Sequence, residues 1–319
     1  MNDLLTMVES ANSIGISGHV RPDGDCVGSC LGLYNYLKES YGDKTIDVFL
    51  DPFSDSFSFL SGAKEVKSSL EVNTVYDLFI SLDCGSLDRL GNAQELFKNA
   101  RQNIVIDHHI SNINFGMVNI LEPKKSSTCE LLFSLLLEDA ISKNAAEAFY
   151  LGIVHDTGVF KHSNTTRETM IVAGKLIEKG IPFSKIIDET FYLKTYLQNQ
   201  ILGRCLLESF LLLEGKVIAS CVEQRILEFY GARPEDLDGV VDQLRITKGV
   251  EVAILAYEAK PGEYKVSMRS NGDVDVNKVA VYFGGGGHIK AAGCSMKGSY
   301  RDTITNITGH IESQLLKLE

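Results

Sequence analysis

In the first half of the chain, short runs of β-branched and aliphatic residues alternate with longer segments whose apolar positions recur every three or four residues. The short runs favour buried strands, and the longer spacing favours amphipathic helices. Strands that alternate with helices are typical of βαβ units around a parallel sheet. The predicted strands span residues 14–19, 45–50, 75–82, 104–106 and 116–120, and the predicted helices span residues 26–40, 131–138, 145–154 and 166–179.

The pattern changes near residue 212, where a different unit is expected to begin. A helical pattern over residues 192–211 predicts a connector, and Pro261-Gly262 predicts the turn of a hairpin. An apolar strand is expected directly before the glycine run Gly284–Gly287, and a helix start directly after it. The other predicted elements are strands at residues 216–222, 250–257 and 264–269 and a closing helix at residues 301–316.

The predicted fold class is α/β. We expect an N-terminal domain at residues 1–190 with a mostly parallel sheet flanked by helices, a helical connector at residues 191–212, and a smaller C-terminal α/β domain at residues 213–319. The length of 319 residues suits two domains, because domains hold roughly 100–200 residues. Gly28, Ser29 and Gly32 keep one face of the first long helix small, which predicts that this helix lies close to the sheet.

The composition predicts where the protein is located in the cell and whether its cysteines are reduced. Hydrophobic residues make up 44% of the chain and charged residues 23%, as in globular proteins. No apolar run approaches the roughly 20 residues that span a bilayer, and the first residues lack the features of a signal peptide. We therefore expect a cytoplasmic protein with no membrane partner. The seven cysteines are scattered without a C-x-x-C pair, which predicts reduced thiols.

The net charge of −11 argues against a protein that grips long duplex DNA, because such proteins are usually basic. A small or short anion is the expected partner, with metal ions as the local positive charge.

Aspartate and histidine residues follow the predicted strands. Carboxyl ends of parallel strands meet at one edge of a sheet, so groups from distant positions converge there. Acids and imidazoles crowded into one crevice repel or desolvate badly unless cations neutralise them. Carboxylate and imidazole ligands without a thiolate suit Mn²⁺ or Mg²⁺, and two such ions about 3.5–4 Å apart are a common clamp for phosphoryl hydrolysis. The residues concerned are His19, Asp23, Asp25, Asp83, Asp107, His108, His109 and Asp156.

The spacing of these residues fits two ions. Asp23 and Asp25 flank Gly24, so a tight loop can turn each carboxylate toward a different ion. Asp83 has two oxygens and can bridge both ions. An imidazole beside the ions, and not bound to them, could donate to a phosphate oxygen or protonate the leaving oxygen.

The glycine run predicts a second anion site. Consecutive glycines next to an expected helix start would leave backbone N–H groups free for a phosphate. Arg269 offers a bidentate guanidinium for a terminal phosphate, and His288 could add a donor. Lys290 is a weaker candidate, because its side chain could simply face solvent.

These motifs resemble the DHH phosphoesterase family over nearly the whole chain. The resemblance rests on His19-x-x-x-Asp23-Gly24-Asp25, on Asp83, on Asp107-His108-His109 and on Asp156-Thr157-Gly158. The tail resembles the associated DHHA1 domain through Ser267-x-Arg269-Ser270, Gly284–His288 and Ala291-Ala292-Gly293. The closest-looking subgroup is the compact bacterial nanoRNase and pAp-phosphatase type, a bifunctional oligoribonuclease.

The resemblance implies roles for single residues. One ion would be held by His19, Asp23 and Asp83, and the other by Asp25, Asp83, His108 and Asp156. Asp107 would orient the site, and His109 would act on the scissile phosphate. The implied cofactors are two divalent metal ions, with Mn²⁺ favoured and Mg²⁺ or Co²⁺ as alternatives. The implied substrate-binding residues, which would hold the non-reacting end of a nucleotide, are Arg269, Ser270, Gly284, Gly285, Gly286, Gly287 and His288.

One residue departs from the family pattern. His155 stands before Asp156-Thr157-Gly158, where a hydroxyl or apolar side chain is expected. It could contact the site or pack beside it.

The implied activity is hydrolysis of short single-stranded RNA to mononucleotides and of 3′,5′-bisphosphoadenosine (pAp) to AMP, with linear pApA as a further substrate. The alternatives within enzymes are a manganese inorganic pyrophosphatase or polyphosphatase and a cyclic-dinucleotide phosphodiesterase. The alternative outside enzymes is a non-catalytic nucleotide sensor, although such a protein should have lost a ligand or His109. A long-strand exonuclease of the RecJ type would need more chain and a basic groove. A homodimer is one oligomeric state that the sequence leaves open.

Overall fold

The computed structural model describes residues 3–67 and 74–317. The chain divides into two compact units, of which the first ends at Leu193 and the second begins at Lys194. The finer division into residues 1–190, 191–212 and 213–319 stays a prediction.

The first unit contains a parallel sheet, as predicted. Within the described residues it has five strands: β1 Ser13–Ser17, β2 Thr45–Phe49, β3 Leu78–Leu82, β4 Gln102–Asp107 and β5 Val118–Leu121. Their order is β2-β1-β3-β4-β5, and each strand runs parallel to its neighbours. β3 is buried along its whole length, which explains its continuous apolar sequence, because strands of parallel sheets are covered on both faces. All five carboxyl ends therefore meet at one edge.

The helices of this unit form two cores with the sheet. Their bounds are α1 Asp3–Ser10, α2 Gly24–Ser40, α3 Gln94–Asn99, α4 Thr128–Leu135, α5 Lys143–Asp156, α6 Arg167–Glu178 and α7 Phe183–Ile187, followed by one π-helical turn at Asp188–Tyr192. Helix α3 packs in one core, and the other α-helices pack in the second. The small face of α2 lies against α5: a Cβ at Gly28 would stand 2.5 Å from the Ala148 carbonyl oxygen, and one at Gly32 would meet the Phe149 ring. The prediction that this face meets the sheet was wrong, because pattern alone does not say which neighbour a small face meets.

The second unit has a mixed sheet. Its six described strands are β6 Phe210–Leu212, β7 Val217–Val222, β8 Val252–Lys260, β9 Glu263–Ser270, β10 Gly286–His288 and β11 Ala291–Lys297. The order is β10-β11-β9-β8-β7-β6, and all neighbours are antiparallel except β7 and β8. The predicted hairpin is confirmed as β8 and β9, with Gly262 at φ +69° in its turn.

Helices cover both faces of this second sheet. They are α8 Tyr196–Leu207, α9 Gln224–Tyr230, α10 Val240–Arg245, α11 Val276–Tyr282 and α12 Tyr300–Leu315. Alternate residues of β8 face opposite cores: Val252 and Ile254 pack with α11 and α12, whereas Ala253 and Leu255 pack with α8, α9 and α10. This alternation is the strand period of two.

The surroundings of the glycine run differ from the prediction. The apolar segment before it is helix α11, whose buried positions Val276, Val279 and Ala280 keep the helical spacing. The segment after it is the antiparallel pair β10 and β11, so no helix starts there. The Gly285 N–H donates to the Ala280 carbonyl oxygen at 2.8 Å and closes α11. The predicted cradle at a helix start is therefore wrong.

No helix among the described residues combines the length and the apolarity needed to cross a membrane.

Candidate metal centre and active site

A first group of ligand-type side chains lies at the ends of β1 and β3. His19 follows β1, and its Nε2 lies 3.5 Å from Asp83 Oδ2 and 3.8 Å from Asp23 Oδ2. Asp83 directly follows β3 and has φ +52°, an uncommon conformation for a residue other than glycine. This backbone turns the Asp83 side chain to the edge where the strands end.

A second group shares Asp83 with the first. His108 follows β4, and its Nε2 lies 3.1 Å from Asp156 Oδ2, 3.7 Å from Asp83 Oδ1 and 3.9 Å from Asp25 Oδ2. Asp83 thus directs Oδ2 toward His19 and Oδ1 toward His108. The structure brings all six predicted ligand residues together, in two groups joined by one carboxylate.

Two helix termini deliver three of these carboxylates. Asp23 is the N-cap of α2, and its Oδ1 accepts hydrogen bonds from the N–H groups of Asp25 and Cys26 at 3.1 Å. Asp25 lies in the first turn of α2, and Asp156 is the last residue of α5. The close contact between α2 and α5 brings the start of one helix to the end of the other, since a Cβ on Gly152 would meet both Asp25 and Cys129.

The amino end of α4 also belongs to the site, and sequence reasoning missed it. The backbone N–H groups of Thr128 and Cys129 donate to the Asp25 carboxylate at 2.6 and 3.0 Å. The Thr128 hydroxyl donates to Asp83 Oδ1 at 3.1 Å. A signal was present, because Ser127 and its neighbours predict a helix start, and such starts bind anions.

The electrostatics of the site favour a bound cation. Burial, reinforced by the charge of Asp83, raises the pKa of Asp25 well above its usual range. Burial raises the pKa of Asp156 to about 7 against the opposing effect of His108. Burial would lower the pKa of His19, but its hydrogen bonds to Asp23 and Asp83 raise it to about 11. The Asp25 and Asp156 carboxylates therefore need positive charge nearby to stay ionised.

The donor set fits divalent ions. Ligands at right angles and about 2.1 Å from an ion stand about 3 Å apart, and the separations between His108 and its three carboxylates begin at 3.1 Å. Cys26 lies close enough to His19 and Asp83 to join the first group. Burial raises the pKa of this thiol well above its usual range, whereas a metal ligand is a thiolate. Oxygen and imidazole donors remain, which suit hard to borderline ions.

His109 is held differently from His108. Its Nδ1 lies 2.7 Å from Asp107 Oδ1, and Asp107 is fully buried. Asp107 also accepts hydrogen bonds from the His109 backbone N–H at 3.2 Å and from Asn112 Nδ2 at 2.7 Å. Burial would raise the pKa of Asp107, but the hydrogen bonds from His109 and Asn112 lower it. The hydrogen bond to Asp107 raises the pKa of His109.

His155 packs beside the site. Its ring lies edge-on between Phe57 and Phe191, with centroids at 5.2 and 5.6 Å. Its Nε2 lies 3.0 Å from the Thr190 hydroxyl, and burial lowers its pKa to about 4. The ring also fills the space where Gly24 would carry a side chain. The contacts therefore give His155 a packing role, as a neutral imidazole that lies against the Asp23-Gly24-Asp25 loop.

In the second unit, the structure brings together two of the predicted substrate residues. Arg269 pairs with Ala291 of β11, and Ala291 pairs with His288 of β10. Directly paired residues of antiparallel strands point to the same face, so Arg269 and His288 share a face of the sheet. Ser270 is buried, and its hydroxyl lies 3.4 Å from the Gly272 carbonyl oxygen; as the neighbour of Arg269 on β9, it points to the opposite face.

The packing of the strands explains why some positions of the run Gly284–Gly287 are glycine. Gly287 has φ +150°, and a Cβ there would stand 2.5 Å from the Ala291 carbonyl oxygen. A Cβ on Gly285 would meet Gly293 and Cys294, whereas Gly284 and Gly286 have open space around them. The close approach of β10 and β11 therefore accounts for two of the four.

Comparison with known families agrees with the geometry. The model of the DHH family, N-terminal domain, matches residues 13–153, and the model of the DHHA1 domain matches residues 214–315. The family match and the named relatives make the protein a hydrolase of phosphoester bonds, and its acids and imidazoles lie together at the carboxyl edge of the parallel sheet. The chain belongs to the DHH family and carries a DHHA1 domain, as its motifs predicted.

Several relatives match over most of their length. The chain is 32% identical, over 89% of its length and 84% of the relative's, to the bifunctional oligoribonuclease and PAP phosphatase NrnA of Thermus thermophilus. It is 28% identical to the protein of the same name from Bacillus subtilis, with 92% of each chain covered. A solved structure of an exopolyphosphatase-related protein from Bacteroides fragilis superposes with a TM-score of 0.90 at 27% identity, covering 98% of this chain and 96% of that one.

Proposed function

We propose that the protein hydrolyses short RNA oligonucleotides to mononucleotides and pAp to AMP, using water activated by two divalent metal ions. The observation that carries the proposal is the pair of ligand groups joined by Asp83. Support comes from the relatives named as oligoribonuclease and PAP phosphatase, which match over most of the chain.

Each ligand group would hold one ion. His19, Asp23 and Asp83 would hold the first, and Asp25, Asp83, His108 and Asp156 the second, with Mn²⁺ favoured over Mg²⁺ or Co²⁺. When bound, such ions lower the pKa of water and polarise a phosphoryl oxygen. Asp83 would contribute a ligand oxygen to each ion, and the N–H groups at the amino end of α4 would favour the ionised form of Asp25.

His109 is the proposed proton donor to the phosphate. The Asp107 carboxylate accepts a hydrogen bond from Nδ1 of His109. This bond keeps the His109 ring in one orientation and leaves its Nε2 for the substrate. The hydrogen bond to Asp107 raises the pKa of His109 and so favours the protonated ring that a proton donor requires. Donation from Nε2 to a phosphate oxygen, or to the leaving oxygen, follows general acid chemistry.

The second unit would hold the non-reacting end of the nucleotide. Arg269 offers a planar guanidinium to a terminal phosphate, and His288 lies on the same sheet face. Roles for Ser270 and for Gly284–Gly287 stay predictions from the family resemblance.

The test is a substrate panel measured with and without Mn²⁺: pApA, pAp, cyclic dinucleotide, pyrophosphate and polyphosphate. We expect metal-dependent AMP release from pApA and pAp. Hydrolysis of pyrophosphate or polyphosphate alone would make the protein a pyrophosphatase or polyphosphatase. Product from the cyclic dinucleotide alone would make it a cyclic-dinucleotide phosphodiesterase, and no product with any divalent ion would favour a nucleotide sensor.

The Asp83→Asn substitution tests the shared ligand. We expect loss of Mn²⁺ binding in calorimetry and at least about a 100-fold fall in activity, because both ions lose a ligand. Asp88→Asn, a few residues further along in an exposed position, is the matched control and should change neither. Normal Mn²⁺ stoichiometry in the Asp83→Asn protein would refute the bridging role.

A cytoplasmic location and a homodimer remain predictions. Fractionation of the producing cell would check the first, and sedimentation equilibrium the second.

A further inference from the structure

A second arginine lies beside the proposed phosphate ligand Arg269. Asp242 of α10 stands between the two: its Oδ1 lies 3.4 Å from Arg269 Nε and 3.5 Å from Arg245 Nε. Arg269 faces α10 because it pairs with Ala253, which packs in the core on that side of the sheet. One carboxylate oxygen therefore aligns two guanidinium groups from a helix and a strand.

The position of Arg245 is fixed by further contacts. Its Nη1 donates to Asn271 Oδ1 at 2.8 Å. Asn271 Nδ2 in turn donates to the carbonyl oxygens of Arg245 and Val250, both at 2.8 Å. Arg245 is only 25% exposed and Arg269 31%. Both side chains are thus held in place and are unlike freely moving surface arginines.

The two guanidinium groups keep donors to spare. Among the hydrogen bonds of the described residues, none involves Nη2 of Arg245 or of Arg269. Two guanidinium groups and one carboxylate leave a net charge of +1. This arrangement suits an anion that can accept from both groups and that carries more than one negative charge.

We infer that Arg245 acts with Arg269 as a paired guanidinium site for a terminal phosphomonoester, and that Asp242 is the positioning residue for the pair. The inference rests on the proposed function, since it names the substrate group that the second unit selects. A terminal phosphate carries a charge of about −1.5 to −2 near pH 7 and exposes three oxygens, whereas an internal diester carries a single charge. Substrates with a terminal phosphate are therefore preferred over those without one.

The experiment compares pApA with ApA, which lacks the terminal phosphate, on the full-length protein with Mn²⁺. For Arg245→Gln we expect KM for pApA to rise about tenfold, the loss of a charge-assisted hydrogen bond, with kcat within about twofold and no change for ApA. Arg245→Lys keeps the charge but loses the planar donors, so it should give a smaller rise in KM.

Arg225→Gln is the matched control. Arg225 is 77% exposed and lies 2.7 Å from Glu223 in the same unit, so it is another arginine paired with a carboxylate. We expect both substrates to behave as in the wild type. Equal effects of Arg245→Gln on pApA and ApA, or no effect beyond that of Arg225→Gln, would overturn the inference while leaving the proposed function intact.

Equilibrium dialysis of labelled pApA and ApA in EDTA separates binding from catalysis. If the wild type releases no AMP, the proposed function fails, yet tighter binding of pApA than ApA that Arg245→Gln abolishes still supports the paired site. If the wild type binds both dinucleotides equally in EDTA, no phosphate preference exists and the inference falls. Thermal melting of each variant confirms that the change is local.

Discussion

At the scale of single residues, adjacent histidines with the same intrinsic chemistry acquire different roles. His108 directs Nε2 at three carboxylates within 3.9 Å, which is the environment of a metal ligand. His109 directs Nδ1 at buried Asp107, which is the environment of an oriented acid or base. The difference arises because the chain leaves β4 and turns, so that consecutive side chains point to different partners.

A substitution of His109 can distinguish the role of a proton donor from that of a metal ligand. His109→Ala should lower kcat by about 10²–10⁴, the usual contribution of a general acid, with Mn²⁺ affinity unchanged in calorimetry. His310→Ala, a histidine of α12 in the second unit, is the control and should keep full activity. A His109→Ala protein that loses Mn²⁺ binding would show that His109 is a ligand.

At the scale of elements, the site depends on helix termini as much as on strand ends. Asp25 is fully buried and lies where the amino ends of α2 and α4 and the carboxyl end of α5 meet. Backbone N–H groups at the start of a helix favour a carboxylate, so α4 offsets part of the cost of burying Asp25. The helices thus fix the ligands as firmly as the sheet does.

The hydroxyl of Thr128 is predicted to orient Asp83. Thr128→Val removes that hydrogen bond but keeps the backbone N–H that donates to Asp25. We expect Mn²⁺ affinity to fall about 10–100-fold, as for other side chains that orient ligands. Thr128→Ser restores the hydroxyl and should restore the affinity; failure of this rescue would indicate a packing role instead.

The contact between α2 and α5 gives a stability prediction. Gly28→Ala should lower the free energy of unfolding by about 1–3 kcal/mol, because the new methyl group is forced against the Ala148 backbone. Gly174→Ala in α6, where no atom lies within 4 Å of a Cβ, should instead raise it by about 0.5–1 kcal/mol. Urea denaturation measures both, and equal effects would mean that the helices are not in close contact at Gly28.

At the scale of the whole molecule, charge limits the substrate. The net charge of −11 opposes the binding of a long polyanion, and the proposed function takes its local positive charge from the metal ions and from Arg245 and Arg269. A net negative charge is unfavourable for the many phosphate contacts that long nucleic acids require. The overall composition thus agrees with short substrates.

Length dependence checks this point. We expect kcat/KM to fall about tenfold or more between a two-nucleotide RNA and a 20-nucleotide RNA at the same salt concentration. Chromatography of the products measures both rates, and a duplex of the same length serves as a further substrate that should resist. Faster hydrolysis of the longer RNA would contradict the prediction.

Much of the fold could be predicted because it is encoded locally. The α/β order, the hairpin around Pro261-Gly262 and four helices of the first unit (α2, α4, α5 and α6) follow from periodicity and turn residues. The sequence predicts a strand at helix α11 because Val279 and Val281 are β-branched, but packing against a core overrides that preference. The ligand candidates could be predicted because parallel strands place their carboxyl ends at one edge.

What the sequence determined by itself is therefore the chemistry: which side chains follow strands, their charge, and the DHH and DHHA1 motifs that carry them. Only the tertiary structure decided which groups meet. Thr128 and Asp25 lie 103 residues apart, and Asp242, Arg245 and Arg269 come from a helix and a strand that no periodicity joins. The physical reason is that local patterns fix the form of an element, whereas packing of whole elements fixes its neighbours.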